Sequence, residues 1–328
     1  MLRFLIKRML LGTLTLFAVS LVAFGMFFML PRDAVATMCE KNCNAERLER
    51  MRDELGLNDP LLDQYTGYVK GVFVGRDLGS AQGGWCDVPC LGYSYINNEE
   101  VSDIFARVIP VTLSIVIPAA ILWLGLGIGL GMLSALKRGT VFDRLAIGFS
   151  LTGASMQLYF VGGILLIIFV YTLKILPPPR YVSLWESPLD WAAGLVLAWV
   201  ALAFLFSAVY ARLSRAQMLE TLAEDYVRTA RAKGLTKSKA YGRHALRAAI
   251  TPIVTIAGLD VGGALGGTVI TETTFGIQGL GRTAVEAVRL GDLSTIMATV
   301  LISAVFIVVA NIVVDLLYAV IDPRVRLG

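Results

Sequence analysis

Six long apolar runs divide this chain, at about 9–30, 110–136, 145–173, 190–211, 250–271 and 294–320. Each is close to or above the length of about 20 residues that an α-helix needs to cross a hydrocarbon core. The pattern predicts an all-α membrane protein of about six spanning helices. Pro110 suits a helix N-terminus and marks the start of the second span, which Pro118 kinks. Gly125, Gly127, Gly129 and Gly131 on that span form overlapping small-xxx-small pairs, the signature of close helix approach in membranes. The first run, preceded by Arg3, Lys7 and Arg8, also has signal-peptide features, with Ala34-Val35-Ala36 as a cleavage site. Its length favours an uncleaved span, and bulky Met38 argues against lipidation at Cys39.

The polar segments between the runs are unequal. The longest, 31–103, mixes acids and bases and holds all four cysteines. Leu48, Met51 and Leu55 recur at helical spacing over 45–57, and Leu61, Tyr65 and Tyr68 continue an apolar face beyond Pro60. Glycines from 71 to 92, with Pro89, predict irregular chain. The domains expected are a first span (1–30), a small external cysteine-containing subdomain (31–103) and a core (104–328) with a large polar loop at 212–249. Segments 1–8, 137–144, 212–249 and 321–328 carry 17 Lys and Arg against 5 acids, whereas the opposite segments carry 12 against 18. Basic residues mark the cytoplasmic side, so both termini are expected there.

Composition agrees. Of 328 residues, 56% are hydrophobic and only 16% charged, against about 25% charged in an average soluble domain. A net charge of +4 gives no nucleic-acid surface. The sequence contains no G-x-x-x-x-G-K-[ST] phosphate loop, and its single histidine, His244, excludes a histidine-cluster metal site. No metal site and no catalytic set is expected.

The loop before the fifth run reads E-D-Y-V-R-T-A-R-A-K-G-L-T-K-S-K-A-Y-G-R-H-A-L-R-A-A-I-T-P over 224–252. Residues 224–233 are good helix formers, with Glu224 and Asp225 at the positive end of the helix dipole and Arg228, Arg231 and Lys233 toward the negative end. Gly234 suits a left-handed helix stop, and Thr236 can cap a second helix over 237–249. The product is a helix–glycine–helix docking surface.

This segment resembles the loop by which permease subunits of ATP-binding-cassette (ABC) importers contact their ATPases. The family pattern is E-A-A, three residues, Gly, nine residues, then I-x-L-P. Arg228, Thr229 and Ala230 occupy the E-A-A positions, and His244 to Arg247 the I-x-L-P positions; Ala230, Gly234 and Leu246 match, while the acid and the proline do not. The variant here is similar to the dipeptide and oligopeptide branch. So are V-I-P-V-T-L-S at 108–114, E-T-T-F-G-I-Q-G-L-G-R at 272–282 and L-L-Y-A-V-I-D-P-R-V-R at 316–326. Gln157, where that branch usually has proline, and the cysteine-bearing section depart from it.

The resemblance implies a type I importer transmembrane fold and a permease subunit for dipeptides or oligopeptides in a prokaryotic cytoplasmic membrane. It implies a second permease, two ATPases that bind ATP–Mg, and an external peptide-binding protein as partners; this chain needs no cofactor of its own. The docking contact would fall on Glu224, Asp225, Tyr226, Arg228, Thr229, Ala230, Arg231, Lys233, Gly234 and Leu235. The outer loop 272–292 would meet the binding protein through Gly276, Gln278 and Arg282, with turns at Gly276, Gly279 and Gly281 and a short amphipathic helix over 282–290. The same branch also carries nickel, glutathione or oligosaccharides. A stand-alone secondary transporter would need no docking loop, and a membrane-embedded enzyme would need converging catalytic groups.

Two acids lie inside apolar runs, where a carboxylate is costly and functional by default. Asp260, among Gly258, Gly262 and Gly263, is the leading candidate for the translocation pathway, its substrate-side partner being a peptide ammonium group. Gln157 and Ser155, with Tyr159, form a weaker set. Asp315, within two turns of the cytoplasmic end, reads as a structural partner for backbone or a basic neighbour. Cys39, Cys43, Cys86 and Cys90 form two C-x-x-x-C pairs on the exported side, where an even count argues for disulfides. Crossed pairing between the two pairs is expected, since a 43–86 closure is worth roughly 4 kcal/mol in the chain-entropy model. The alternatives are a four-thiolate metal or iron–sulfur site and reduced thiols.

Overall fold

The computed structural model describes residues 2–29, 59–78 and 84–321. The helix expected over 45–57 and the cysteines Cys39 and Cys43 lie outside the described residues. The chain begins with α1 (Leu2–Met29), followed by α2 (Leu61–Val74). Two antiparallel pairs come next: β1 (Arg76–Asp77) with β2 (Trp85–Cys86), and β3 (Tyr93–Ser94) with β4 (Glu99–Glu100). Then come α3 (Val101–Leu136), α4 (Val141–Ser155), α5 (Leu158–Leu165, prolonged by a π-turn over Leu166–Thr172) and α6 (Pro188–Ala223). The polar segment after α6 holds α7 (Asp225–Ala232) and α8 (Lys237–Ala240), and a π-turn (Tyr241–Ala245) joins α8 to α9 (Leu246–Leu265). The chain continues with α10 (Val269–Phe275), α11 (Leu280–Leu290) and α12 (Leu293–Ile321). Among the described residues, five helices are long and apolar enough to cross a membrane, or six if α4 and α5 count as one broken span.

At the centre lie α3 and α6, each 36 residues and therefore about 54 Å long at 1.5 Å per residue, more than a bilayer core requires. Ser187 caps α6, its hydroxyl accepting from Asp190 N, and Pro188 fills the first turn, where a missing N–H costs nothing. Only one face of the α3 glycine series is used. A Cβ added at Gly127 would lie 2.5 Å from Tyr210 Cβ, and one at Gly131 would lie 2.7 Å from Ser214 Cβ and 2.9 Å from Arg215 N. Gly125 and Gly129 face open space. Trp123, fully buried, stacks on Phe206 with ring centroids 4.6 Å apart, and Trp199 Nε1 donates to Ser114 O at 2.8 Å.

The outer helices attach to this pair. Gly262 lets α9 lie against Ala310 and Ile307 of α12. Helix α1 meets α12 at Gly12, and Arg8 Nε pairs with Asp315 Oδ2 at 2.9 Å. That contact gives Asp315 the basic partner its sequence position suggested, and it sets the start of the first helix beside the end of the last. Ile121, Leu10 and Leu14 are among the large apolar side chains left exposed on the spans, as lipid contact requires.

Several sequence expectations are corrected. Helix α3 starts at Val101, not near Pro110, because Val101, Phe105 and Val108 bury into a cluster with Leu91, Leu280 and Ala298 and hold the extra turns in place. The third span is not continuous: α4 and α5 meet at 103°, with Met156 and Gln157 extended between them. Gly162 of α5 seats against Thr274 and Phe275, so tertiary contact fixes the second half. Helix α9 ends at Leu265, short of the expected 271. The chain is helical through Gly71 as far as Val74, with only short β pairs beyond. Cys86 is bonded to Cys90, their Cα atoms 5.6 Å apart, within normal disulfide range. Neither cysteine is left for a crossed bond to Cys39 or Cys43, nor to ligate a metal.

Beyond α9, helices α10 and α11 fold back as a hairpin around Glu272, which is fully buried. Thr112 Oγ1 donates to Glu272 Oε1 at 2.9 Å and Thr268 Oγ1 to the same oxygen at 3.2 Å, while Arg282 N donates to Oε2 at 2.7 Å. Thr112 Oγ1 also accepts from Leu280 N at 2.8 Å. Gly276 closes the turn at φ 66°, whereas Gly281 lies in the first turn of α11, where it packs against Val269. The segment ahead of α3 is tied in by Asp292, which accepts from Ser94 Oγ and, at 2.8 Å, from Thr295 Oγ1.

Three outcomes follow from this packing. Gly131→Leu forces a side chain into the backbone of α6 and is expected to cost about 3 kcal/mol or more, seen as a lowered thermal midpoint of the detergent-purified protein. Gly129→Leu, facing open space, should leave that midpoint within experimental error. Thr112→Val strips Glu272 of one donor and Leu280 N of its acceptor, at about 1–3 kcal/mol for each group left unpaired. Amide exchange should quicken over 268–283 and stay unchanged over 225–245.

Candidate functional site

The segment after α6 builds an exposed platform. Glu224 stands at the N-cap of α7 in extended conformation, with Asp225 in the first turn. Asp225, Tyr226, Arg228, Thr229, Arg231 and Lys233 are all exposed and Ala230 is half-buried, while Val227 is only 1% exposed and anchors the helix. Arg228 approaches Asp225 at 3.9 Å across one turn. Burial raises the Tyr226 hydroxyl's pKa, and neighbouring Glu224 adds to the effect. The stop is a Schellman motif. Leu235 N donates to Ala230 O at 3.3 Å, Gly234 N donates to Arg231 O at 3.0 Å, and Gly234 sits at φ 88°. Only glycine takes that conformation without strain.

Thr236 is the N-cap of α8 but makes no side-chain capping bond, contrary to expectation. Nor does the second helix stop at 249; it runs through the π-turn into α9 without a break. Ala240, Ala245 and Ala249 are fully buried along it. Arg231 Nη1 and Tyr241 Oη meet at 3.4 Å across the fold of the platform. Between the two arms lies a cleft of about 520 Å³, lined by Val227, Arg228, Arg231, Gly234, Leu235 and Tyr241 among others.

Just ahead of the platform is an ion pair the sequence reading missed. Asp143, at the start of α4, accepts from Ser134 Oγ at 2.5 Å, Gly139 N at 2.9 Å and Arg215 Nε at 2.7 Å. Arg215 Nη2 adds a bond at 3.0 Å. The short loop after α3 is thereby bound to α6 ten residues before the platform begins. Asp143 had been visible only as a loop acid among bases, and Arg215 as one base of several.

The pathway candidates are not gathered into one cluster. Asp260, half-buried on α9, accepts a 2.7 Å hydrogen bond from Tyr210 Oη of α6. Ile256, Leu259 and Gly263 beside it face away from the packed core of the chain. Ser155 donates to Leu151 O within its own helix, and Ser155 and Gln157 sit exposed at the α4–α5 break. No hydrogen bond joins either to Asp260.

At the opposite end, Gln278 and Arg282 converge on Glu286. Gln278 Nε2 donates to Oε2 at 2.8 Å and Arg282 Nε to Oε1 at 2.8 Å. The hydrogen bond from Gln278, then the contact with Arg282, hold the Glu286 carboxyl below its usual range. Gly276 and Gln278 border a cavity of about 520 Å³ between the β3–β4 segment, α3 and α11. Glu272, buried in the same hairpin, is a residue the sequence motif contains but to which no role had been assigned. A lone acid following a glycine-rich span was the available signal. Among the described residues no cluster of three or more His, Cys, Asp or Glu is arranged to hold a metal ion.

Residues 127–327 match the family described as the binding-protein-dependent transport system inner membrane component, and residues 1–116 match its N-terminal companion. The chain is 35% identical to the dipeptide transport system permease protein DppB of Escherichia coli K12, over 99% of each chain. It is also 35% identical to the di/tripeptide transport system permease protein DppB of Pseudomonas aeruginosa, again over 99% of each. With its all-α spans and inserted platform, this chain belongs to the binding-protein-dependent inner membrane transport family, the permeases of ABC importers with a type I membrane fold.

Proposed function

We propose that this chain is one of two permease subunits in an ATP-driven importer of dipeptides or oligopeptides in a prokaryotic cytoplasmic membrane. The observation that carries the mechanism is the exposed helix–glycine–helix platform whose second arm is continuous with a membrane span. The peptide substrate rests on full-length similarity to dipeptide and di/tripeptide permeases. The platform, residues 224–235 foremost, faces two cytoplasmic ATPases that bind ATP–Mg. Both termini lie on that side, in keeping with the Arg8–Asp315 contact and the basic inner segments. The outer hairpin with Gly276, Gln278 and Arg282 faces an external peptide-binding protein.

Closure of the ATPases pushes α7 and α8, the continuous α8–α9 rod tilts, and the chain exchanges inward-open and outward-open arrangements against its partner permease. The Asp143–Arg215 clamp makes α4 travel with α6. Hydrolysis belongs to the ATPases. Purifying the chain with its co-expressed partners and measuring peptide-stimulated ATPase activity tests the reading; stimulation by nickel, glutathione or an oligosaccharide instead would reassign the substrate.

Gly234→Pro fixes φ near −65° where the hinge needs a positive value, and it deletes the N–H bonded to Arg231 O. The variant should insert normally, while vesicle uptake falls to background and the ATPases co-purify poorly. Wild-type uptake by Gly234→Pro would remove the platform from the mechanism.

Asp260 lines the cavity between the two permeases in this reading and meets the peptide ammonium. Asp260→Asn should raise the half-saturating peptide concentration about tenfold or more, the scale of one charge-assisted hydrogen bond, with subunit assembly intact. Reduced assembly at unchanged half-saturation would make Asp260 a structural residue only.

A further inference from the structure

The cavity at the outer end is charged in an uneven way. It draws Glu99 from β4, Arg107 from α3, Arg180 from the segment before α6, Gln278 and Glu286 from the α10–α11 hairpin, and Asp292, whose carboxylate is taken up by Ser94 and Thr295, with Asn97 at its edge. Its volume of about 520 Å³ falls in the range of small-molecule sites, about 300–1,000 Å³. Arg107 spends one nitrogen on Glu99: Nη2 donates to Oε1 at 2.7 Å and Oε2 at 2.6 Å. Its Nε and Nη1 have no hydrogen-bond partner among the described residues. Arg180 is freer still, since among the described residues its sole ionic contact is Asp190 at 3.9 Å, too long for a hydrogen bond. Glu286, by contrast, is fixed by Gln278 and Arg282, one donor to each oxygen, which leaves each oxygen a further lone pair.

A guanidinium with spare N–H groups presents the planar fork that matches a carboxylate. A carboxylate held by two donors and kept ionised is a preformed acceptor for an ammonium group. Two such cations and one such anion around a cavity of this size select a ligand bearing both charges.

We infer that this cavity is a transfer site for zwitterionic peptides on the outer face, Arg107 and Arg180 taking the C-terminal carboxylate and Glu286 the N-terminal ammonium. Its place between the α10–α11 hairpin and the first turns of α3, on the side the proposal assigns to the binding protein, makes it the first station after release. The inference rests on the peptide-importer reading and adds a place and a chemical selection to it.

The test uses the complete transporter, without the binding protein and without nucleotide, in lipid nanodiscs, titrated with radiolabelled alanyl-phenylalanine and with its C-terminal amide. The wild type should bind the free acid saturably and the amide about tenfold or more weakly. Arg180→Gln, at an exposed side chain, should lose most of that acid-over-amide preference, and Arg107→Gln combined with it should abolish the rest. Glu286→Gln should weaken binding of the free peptide while sparing its N-acetylated form. Co-purified ATPases report that each variant is folded. Absence of saturable binding, or an acid-over-amide preference untouched by both arginine substitutions, would overturn the site. Vesicle uptake with the binding protein present separates the two levels. Wild-type uptake of peptide alongside unaltered nanodisc binding by the variants refutes the site alone, whereas no peptide uptake by the wild type refutes the importer reading and the site with it.

Discussion

Close approach of α3 and α6 is the contact on which the rest of the molecule depends. In a bilayer the hydrophobic effect gives helices no reason to associate, so packing and polar contacts must do it. Gly127 and Gly131 bring the backbone of α3 within reach of Ser207, Tyr210, Ala211 and Ser214, where any larger residue would hold the helices apart. Once the pair is set, Trp123 can stack on Phe206, Trp199 can reach Ser114 O, and Arg215 stands where Asp143 needs it. The glycine seam thus fixes both the apolar centre and the polar clamp at its end.

Four carboxylates in this apolar frame are each matched by a partner on another element. Asp315 takes Arg8, Asp143 takes Arg215, Glu272 takes Thr112, and Asp260 takes Tyr210. A lone carboxylate away from water would be expensive, and removing one partner exposes that cost in full. Asp260 differs from Asp315 and Asp143 in having a neutral partner, and from buried Glu272 in accepting one hydrogen bond among the described residues rather than three, on a helix face turned away from the core. That difference, not its mere presence in a span, is what singles it out.

Much of this could be read from the sequence wherever a local rule decides the outcome. A window of apolar residues long enough to span located the helices, and glycine at 234 marked the stop because a left-handed residue was needed there. The resemblance carried by Gly234, Ala230 and Leu246 reached the correct family. What escaped is what distant residues decide. Nothing in S-M-Q at 155–157 demands a bend, which Gly162 against Phe275 secures from α10. Pro110 suits a helix start by local preference, yet burial of Val101 and Phe105 by Leu91 and Leu280 extends the helix past it. Cys86 chose its near neighbour because the chain turns back within four residues, whereas an entropy argument rewards only long loops.

The unbroken run from α8 into α9 has a consequence for how the molecule tolerates change. From Lys237 to Leu265 the helix is roughly 43 Å long at 1.5 Å per residue, so its two ends share one rotational phase. Inserting or deleting a single residue between 246 and 250 would turn every downstream side chain by about 100°, since a helical turn takes 3.6 residues. Gly258 and Gly262 would swing off α12, and Asp260 would leave Tyr210, although neither end had been touched. Length variation in this part of the chain is therefore forbidden in steps of one and costs least in steps that restore whole turns. The loop after Gly234, standing outside the rod, carries no such restriction.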